Sequence, residues 1–143
     1  MTTIEKLNDK LDEKLTDKPK ILCVDDEIDN LDALERIFRK TYHVFKAISA
    51  KEATIVLKDH ADISVIVSDQ RMPGMSGVEF LENTVTTHPE TIRILLTGYT
   101  DIESVITAIN KGQIFRYITK PWDTADLMNT VVRAYEKFQL RHM

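Results

Sequence analysis

The fold is decided by residues 63–80, which read ISVIVSDQRMPGMSGVEF. The stretch opens with a nearly continuous β-branched run over 63–67, which is typical of a strand covered on both faces. The run ends at Asp69, and a turn marked by Pro73 follows. Apolar residues at helical spacing begin at Val78. A buried strand, a polar end and a helix in this order form one unit of a parallel α/β sheet.

The same alternation of strand and helix patterns runs along the rest of the chain. It predicts strands at 21–24, 43–48, 63–67, 92–96 and 115–118, followed in turn by helices at 27–40, 50–58, 78–85, 102–109 and 127–138. We interpret the strands at 21–24, 63–67 and 92–96 as apolar throughout, as strands covered on both faces are. The pattern therefore predicts an α/β protein with a doubly wound, five-stranded parallel sheet.

Length and composition favour one globular domain. The chain has 143 residues, of which 43% are hydrophobic and 29% are charged. No apolar run approaches the roughly 20 residues that span a bilayer, and the N-terminus lacks the apolar core of a signal peptide, so we expect a cytoplasmic protein. The formal net charge of −4, without a basic cluster, argues against direct nucleic-acid binding. The single cysteine, Cys23, lies in an apolar run and is interpreted as a core residue.

Residues 1–18 form a charged N-terminal extension in front of a domain that spans 19–143. Four apolar residues in the extension recur at spacings of three, four and four and would share one helical face; they are Ile4, Leu7, Leu11 and Leu15. Two interpretations stay open. The extension is either a solvated helix that packs loosely on the domain, or a short coiled-coil or docking segment.

Polar side chains gather where the predicted strands end. Asp25 and Asp26 follow the first strand, Asp69 follows the third, Thr97 the fourth and Lys120 the fifth. In a parallel sheet ligands bind outside the carboxyl ends of the strands, which meet at one edge. Carboxylates brought together there repel one another, so we expect a divalent cation. Hard oxygen ligands favour Mg²⁺, and no histidine or cysteine stands at a strand end to favour zinc.

One of these carboxylates can act as a nucleophile toward a phosphoryl group. Asp69 is the stronger candidate because it is a single carboxylate on the central strand, whereas the pair Asp25 and Asp26 suits a metal. Lys120 can neutralise charge on the phosphoryl oxygens, and the hydroxyl of Thr97 can donate a hydrogen bond to them.

Each of these residues also has a purely structural interpretation. Asp25 or Asp26 alone fits a helix N-cap, and Thr97 before a glycine fits a turn. Asp69 alone fits a loop, and Lys120 before a proline fits an exposed surface. Their occurrence together, each at the end of a strand, favours the chemical interpretation.

Four motifs resemble the receiver domain of two-component response regulators, over about residues 20–138. They are LCVDDE at 22–27, VSDQRMPGMSG at 67–77, LLTG at 95–98 and YITKPW at 117–122. The resemblance implies a flavodoxin-like (βα)5 fold with strand order 2-1-3-4-5. It also implies a cis peptide bond between Lys120 and Pro121.

The resemblance implies a role for each residue at the strand ends. Asp69 would accept a phosphoryl group from a phosphohistidine of a sensor histidine kinase or a phosphotransfer protein. Asp26 would bind Mg²⁺ directly and Asp25 largely through water, with Asp69 and the main-chain carbonyl of Arg71 as further ligands. Lys120 would contact the phosphoryl group.

Thr97 and Tyr117 resemble the family's switch pair. On phosphorylation the hydroxyl would move toward the phosphoryl group and the ring would turn inward. This would remodel the face formed by the helix at 102–109, the strand at 115–118 and the last helix. Tyr117 alone also fits a core aromatic residue.

Arg71 and Tyr99 occupy positions that tune the lifetime of the phosphoryl group in the family. An arginine and a bulky aromatic ring there would restrict attacking water, so we expect slow loss of phosphate. Gln70 and Trp122 receive no role.

The sequence predicts a signalling switch rather than an enzyme, because Asp69 is consumed as the substrate. Its output would be a separate effector protein or an output domain beyond residue 143, and the amphipathic last helix leaves a homodimer open. The alternative is a receiver-like interaction module that works without phosphorylation. A dehalogenase-like phosphatase is disfavoured because Arg71 stands where it needs an acidic residue. A nucleotide-binding domain is disfavoured because no glycine-rich loop follows the first strand.

Overall fold

The computed structural model describes residues 17–141. Five parallel strands pair in the order β2-β1-β3-β4-β5, which confirms the predicted order and the flavodoxin-like class. The strands are Lys20–Val24 (β1), His43–Ala47 (β2), Val65–Asp69 (β3), Ile92–Thr97 (β4) and Ile114–Thr119 (β5). The helices are Ile28–Phe38 (α1), Ala50–Asp59 (α2), Gly77–Thr87 (α3), Ile102–Gly112 (α4) and Thr124–Arg141 (α5), with a 3-10 turn at Tyr99–Asp101.

Two apolar cores lie on opposite faces of the sheet, because successive side chains of a strand point to opposite sides. In β1, Cys23 contributes to the core under α1 and α5, whereas Leu22 contributes to the core under α2, α3 and α4. Cys23 is fully buried, as predicted. None of the helices within 17–141 is both long enough and apolar enough to cross a membrane.

Local hydrogen bonds fix where the helices begin. Ser76 precedes α3, and its hydroxyl accepts a hydrogen bond from the amide of Glu79 at 3.2 Å and donates one to the Glu79 carboxylate at 3.1 Å. The Ser76 hydroxyl thus caps the N-terminus of α3. Ser49 caps α2 in the same way, through the amide of Glu52.

The interpretation of β4 as apolar throughout is wrong at Arg93. This residue is 1% exposed and is the second residue of β4, which lies between β3 and β5. Its Nη1 donates to the carbonyl of His88 at 3.2 Å and to the hydroxyl of Thr84 at 3.5 Å, at the C-terminus of α3. Within the described part of the chain its Nε has no hydrogen-bond partner. The negative end of the helix dipole favours a cation there, which explains why a charge is tolerated inside the sheet.

Most element boundaries differ from the prediction by one to three residues, and two cases show why. β3 begins at Val65 rather than at 63 and includes Asp69, and α5 begins at Thr124 rather than at 127. The interpretations of the N-terminal extension concern residues that lie outside the described range, apart from Asp17 and Lys18. Both interpretations therefore stay predictions.

Candidate functional site

The three aspartates predicted to meet do lie together. Asp25 follows β1 directly and Asp69 ends the neighbouring strand β3, where Val24 pairs with Ser68. One carboxylate oxygen from each of Asp25, Asp26 and Asp69 lies within 4.8 Å of the others. Asp25 is buried, Asp69 is 7% exposed and Asp26 is exposed. The cluster therefore has two fixed carboxylates beneath one that faces solvent.

Asp25 is oriented by the start of α1. Its Oδ1 accepts a hydrogen bond from the amide of Glu27 at 2.9 Å, and its Oδ2 accepts one from the side chain of Asn30 at 3.1 Å. The N-cap residue of α1 is Glu27, so neither aspartate holds the N-cap position that the structural interpretation gave it. These hydrogen bonds hold the Asp25 carboxylate in place despite its repulsion by the neighbouring carboxylates.

Lys120 supplies the positive charge. Its Nζ lies 2.7 Å from Oδ1 of Asp69 and 3.4 Å from Oδ2 of Asp25. The backbone holds this position, because the amide of Lys120 donates to the carbonyl of Thr97 at 2.9 Å. The bond between Lys120 and Pro121 is cis, as predicted. Lys120 therefore contacts the carboxylate cluster and is not simply an exposed surface residue.

Burial and charge act on the ionisation of this pair. Burial raises the pKa of Asp69, and the hydrogen bond from Lys120 opposes that rise without cancelling it. Burial alone lowers the pKa of Lys120, but the hydrogen bond to Asp69 and the attraction of Asp69 and Asp25 outweigh it and raise the pKa. Lys120 therefore stays charged, and its one ammonium group contacts two of the three carboxylates.

The donor set fits a hard divalent cation. The cluster offers only carboxylate oxygens, one of them exposed and free to change its position, and it carries more negative charge than Lys120 can neutralise. No histidine or cysteine among the described residues joins a group of this kind. A cavity of about 380 Å³ opens beside the cluster; its lining includes Asp26, Asp69 and Lys120.

Thr97 and Tyr117 lie beside the cluster rather than in it. Thr97 ends β4 with its side chain fully buried, and its hydroxyl donates to the carbonyl of Gly98 at a long 3.4 Å. Tyr117, on β5, is half-buried and packs against the core under α2, α3 and α4. It also lines a cavity of about 730 Å³, together with Tyr99 and Ile109. The ring thus has apolar contacts on one side and open space on the other.

The family model described as the response regulator receiver domain matches residues 21–132. This chain belongs to that family. Receiver domains of response regulators are signalling modules of two-component systems, and both the fold and the strand-end cluster of this chain agree with the assignment.

Among known relatives, the receiver resembles two proteins named hydrogenase transcriptional regulatory protein HoxA. The one from Cupriavidus necator is 44% identical over 116 residues, which cover 81% of this chain and 24% of that protein. The one from Bradyrhizobium diazoefficiens is 36% identical over 121 residues, which cover 85% and 25%. The chain therefore spans about a quarter of the length of these curated relatives.

A solved signal receiver domain of an HD domain-containing protein from Pseudomonas fluorescens has the same fold. It superposes with a TM-score of 0.82 at 32% identity, and the match covers 87% of this chain and 92% of that one.

Two further residues shape this receiver's site, and neither was assigned a role from sequence. Gln70 follows Asp69, and its side-chain carbonyl accepts a hydrogen bond from the amide of Val78 at 2.9 Å. Its main-chain carbonyl accepts one from the amide of Gly77 at 2.9 Å. Both bonds hold the start of α3 against the end of β3. A Cβ at Gly77 would lie 2.2 Å from the carbonyl oxygen of Asp69, so only glycine fits there.

Arg71 was predicted to offer its main-chain carbonyl to the metal, and that role stays a prediction. Its side chain is 75% exposed and makes a bidentate ion pair with Asp101, in the turn after β4. The sequence could not indicate this pair, because the two residues lie 30 positions apart in separate loops.

Proposed function

We propose that this receiver accepts a phosphoryl group on Asp69 from the phosphohistidine of a sensor histidine kinase or a phosphotransfer protein. The observation that carries the proposal is a buried carboxylate at the end of the central strand, 2.7 Å from a lysine ammonium and next to two more carboxylates. The family membership supports it.

The proposed step is a displacement at phosphorus. One carboxylate oxygen of Asp69 forms the new P–O bond while the P–N bond to the donor imidazole breaks. The imidazole nitrogen keeps the electron pair of that bond and takes a proton from solvent. Lys120 stays protonated through the step and neutralises negative charge on the transferring oxygens.

Asp25, Asp26 and Asp69 would hold Mg²⁺, with the main-chain carbonyl of Arg71 as a further ligand. When bound, the cation would neutralise charge on the phosphoryl oxygens. The protein's own part is to fix Asp25 through Glu27 and Asn30, so that the ligand set exists before the cation arrives.

The proposed switch uses Thr97 and Tyr117. The weak 3.4 Å hydrogen bond of the Thr97 hydroxyl leaves it available to a phosphoryl oxygen on Asp69. Movement of Thr97 would leave room for the Tyr117 ring to turn inward, and this would change the face formed by α4, β5 and α5. That face would then bind an effector protein, an output domain or a second copy of the receiver.

We assign residues 19–143 to the receiver and residues 1–18 to an extension, and the cytoplasm is the proposed compartment. The length of the curated relatives supports an output domain or effector downstream of the receiver. We also propose that Arg71 and Tyr99 slow the loss of the phosphoryl group by restricting water at the mouth of the site. Loss within seconds from purified protein would contradict this last point.

The test is labelling by acetyl phosphate with Mg²⁺, followed by intact mass. The wild-type protein should gain the mass of one phosphoryl group, and EDTA should abolish the gain. Asp69→Asn should not be labelled, whereas the exposed control Asp59→Asn should be labelled like the wild type. Labelling of Asp69→Asn would overturn the proposal. A folded wild-type protein that takes no label would favour the interaction module instead.

A further inference from the structure

The ion pair between Arg71 and Asp101 joins two loops at the mouth of the site. Nε of Arg71 lies 2.8 Å from Oδ2 of Asp101, and Nη2 lies 2.9 Å from Oδ1. Arg71 stands two residues after Asp69, and Asp101 stands four residues after Thr97. Both line the cavity of about 380 Å³ that also contains Asp69 and Lys120 at its wall. The pair therefore connects the loop after β3 with the loop after β4, directly beside the carboxylate cluster.

The side chain of Asp101 does not cap the helix that it precedes. It stands at the N-cap position of α4, a position that aspartate favours, yet its side chain accepts no hydrogen bond from the helix. Both of its oxygens are directed to Arg71 instead. Its backbone is helical, with φ −101° and ψ −5°, and it ends the 3-10 turn Tyr99–Asp101. The capping serines of this chain, Ser49 and Ser76, are extended, with ψ near 163°.

These two tasks of Asp101 exclude each other. A carboxylate that caps α4 needs an extended backbone at Asp101, which would unwind the 3-10 turn. A carboxylate paired with Arg71 keeps the turn closed. The turn therefore has two arrangements, and the partner of Asp101 selects between them.

Arg71 likewise has two anionic partners within reach of its loop. Besides Lys120 it is the only cationic side chain that lines the cavity among the described residues. A phosphoryl group on Asp69 would replace the single carboxylate charge with about two negative charges, a net gain of about one, and would add three acceptor oxygens to that cavity. Guanidinium groups bind such oxygens in a bidentate manner, as this one now binds Asp101.

We propose that the Arg71–Asp101 ion pair is a latch that keeps the Tyr99–Asp101 turn closed until Asp69 is phosphorylated. This inference rests on the proposed function of Asp69. The phosphoryl group draws Arg71 away, Asp101 turns to cap α4, and the turn unwinds. Tyr99 is 72% exposed and lines the same cavity as Tyr117, so the opened turn changes the α4–β5 surface from its α4 end.

The latch predicts different effects on ligand affinity for the loss of Asp101 and for the loss of Arg71. In Asp101→Asn the pair is lost, but Arg71 is free for the phosphoryl group and asparagine still caps the helix. Binding of beryllofluoride with Mg²⁺ should then be about two- to five-fold tighter, the range expected when one exposed ion pair no longer has to break. In Arg71→Gln the turn is also released, but the cation is gone, so binding should be no tighter than in the wild type. The double variant should bind like Arg71→Gln.

Titration calorimetry measures these affinities, and Glu103→Gln is the matched control. Glu103 is an exposed acidic residue two positions further along, so its loss removes the same charge without touching the latch. Hydrogen exchange of residues 98–104 gives a second measurement. Both latch variants without ligand should exchange as fast as the wild type with beryllofluoride.

The outcomes separate the latch from the proposed function. A wild-type protein that binds no beryllofluoride would overturn the proposed function and the latch together. If the wild type binds it, equal gains in Asp101→Asn and Glu103→Gln would overturn the latch alone. The same holds if residues 98–104 exchange at the wild-type rate in both latch variants.

Discussion

At the scale of single residues, Asp69 combines two demands that oppose each other. Under the proposed function its carboxylate must be ionised to attack phosphorus, yet it is buried beside two other carboxylates. Burial raises the pKa of Asp69 above that of an unfolded chain. A carboxyl group with a raised pKa stabilises the fold when protonated, and this contribution is lost as pH rises through the folded pKa. At neutral pH the ionised Asp69 therefore opposes folding.

We predict that Asp69→Asn stabilises the protein in the absence of divalent cations. The free energy of unfolding in urea at neutral pH should rise, on the order of 1 kcal/mol, the usual size of a single-residue effect. The gain should shrink at acidic pH, where the wild-type carboxyl is protonated as well. Asp59→Asn on the exposed side of α2 should change stability little. A clear loss of stability in Asp69→Asn would mean that its pairing with Lys120 outweighs its burial.

Arg93 places a guanidinium group in a buried position near the start of β4. Burial, helped by repulsion from Arg141, lowers the pKa of Arg93, so the fold disfavours its charged form. The aliphatic stem is buried together with the guanidinium group, whose only described donor contacts are at the C-terminus of α3.

We predict that packing of the Arg93 stem matters more than its charge. Arg93→Ala should cost about 2–5 kcal/mol of unfolding free energy through the cavity it leaves. Arg93→Met fills most of that volume and should cost less than about 1.5 kcal/mol. Urea denaturation of both variants measures the difference. Equal losses in the two variants would show instead that the guanidinium contacts to His88 and Thr84 hold this end of α3.

Strand-end chemistry could be predicted from sequence, whereas loop contacts could not. Asp25, Asp69 and Lys120 each end an apolar run, and the topology of a parallel sheet is enough to bring such ends together. The ion pair of Arg71 with Asp101 depends on two loop conformations that no periodic pattern describes. The buried charge of Arg93 was not predicted, because the residues around it are apolar and the stretch was interpreted as a continuous apolar strand.

At the scale of elements, the contact that sets the site is between the end of β3 and the start of α3. Gly77 is the first residue of α3, and its amide donates to the carbonyl of Gln70. The space beside it is filled by the carbonyl of Asp69 and a methyl group of Leu95. The helix can approach β3 this closely only because Gly77 has no side chain.

We predict that Gly77→Ala damages both stability and labelling. Helix propensity alone would favour alanine by about 1 kcal/mol, but a Cβ 2.2 Å from the Asp69 carbonyl oxygen forces α3 away from β3. The free energy of unfolding should fall by about 1–3 kcal/mol, the range for overpacking, and labelling of Asp69 should slow. Gly98→Ala is the control for stability, because the position has open space and an ordinary φ of −77°. Wild-type stability and labelling in Gly77→Ala would show that the loop adjusts at no cost.

The order of the strands and helices was easier to predict than the residues at which each of them begins and ends. The apolar periods gave all five strands in the correct sequence. They missed the first turn of α5, because residues 124–126 are small or polar and carry no apolar repeat. They also ended the third strand before Asp69, because a polar residue in a strand looks like the start of a loop.

At the scale of the whole molecule, Cys23 is so fully buried that the reactivity of its thiol reports on global unfolding. It is on β1 beside the central strand, and burial, followed by the nearby charges of Glu35 and Asp25, raises its pKa to about 12. The thiolate is the reactive form, so at neutral pH the folded protein presents almost none of it.

We predict that Cys23 resists a disulfide reagent such as Ellman's reagent in native buffer. Its reaction should become fast only in urea, with a midpoint that coincides with loss of helical circular dichroism. Because the sequence has one cysteine, the label count is unambiguous. Rapid stoichiometric reaction in native buffer would mean that β1 opens without unfolding the rest of the sheet.

The ion pair between Asp25 and Lys120 closes a loop of 95 positions along the chain. The aspartates are made before Lys120, and the ammonium group that offsets part of their charge comes only with the last strand. An incomplete or clipped chain that ends before β5 would therefore carry a cluster of uncompensated acids and no competent acceptor. Under the proposed function, only a chain that has completed β5 can accept the phosphoryl group. Signalling is therefore restricted to molecules that have finished folding.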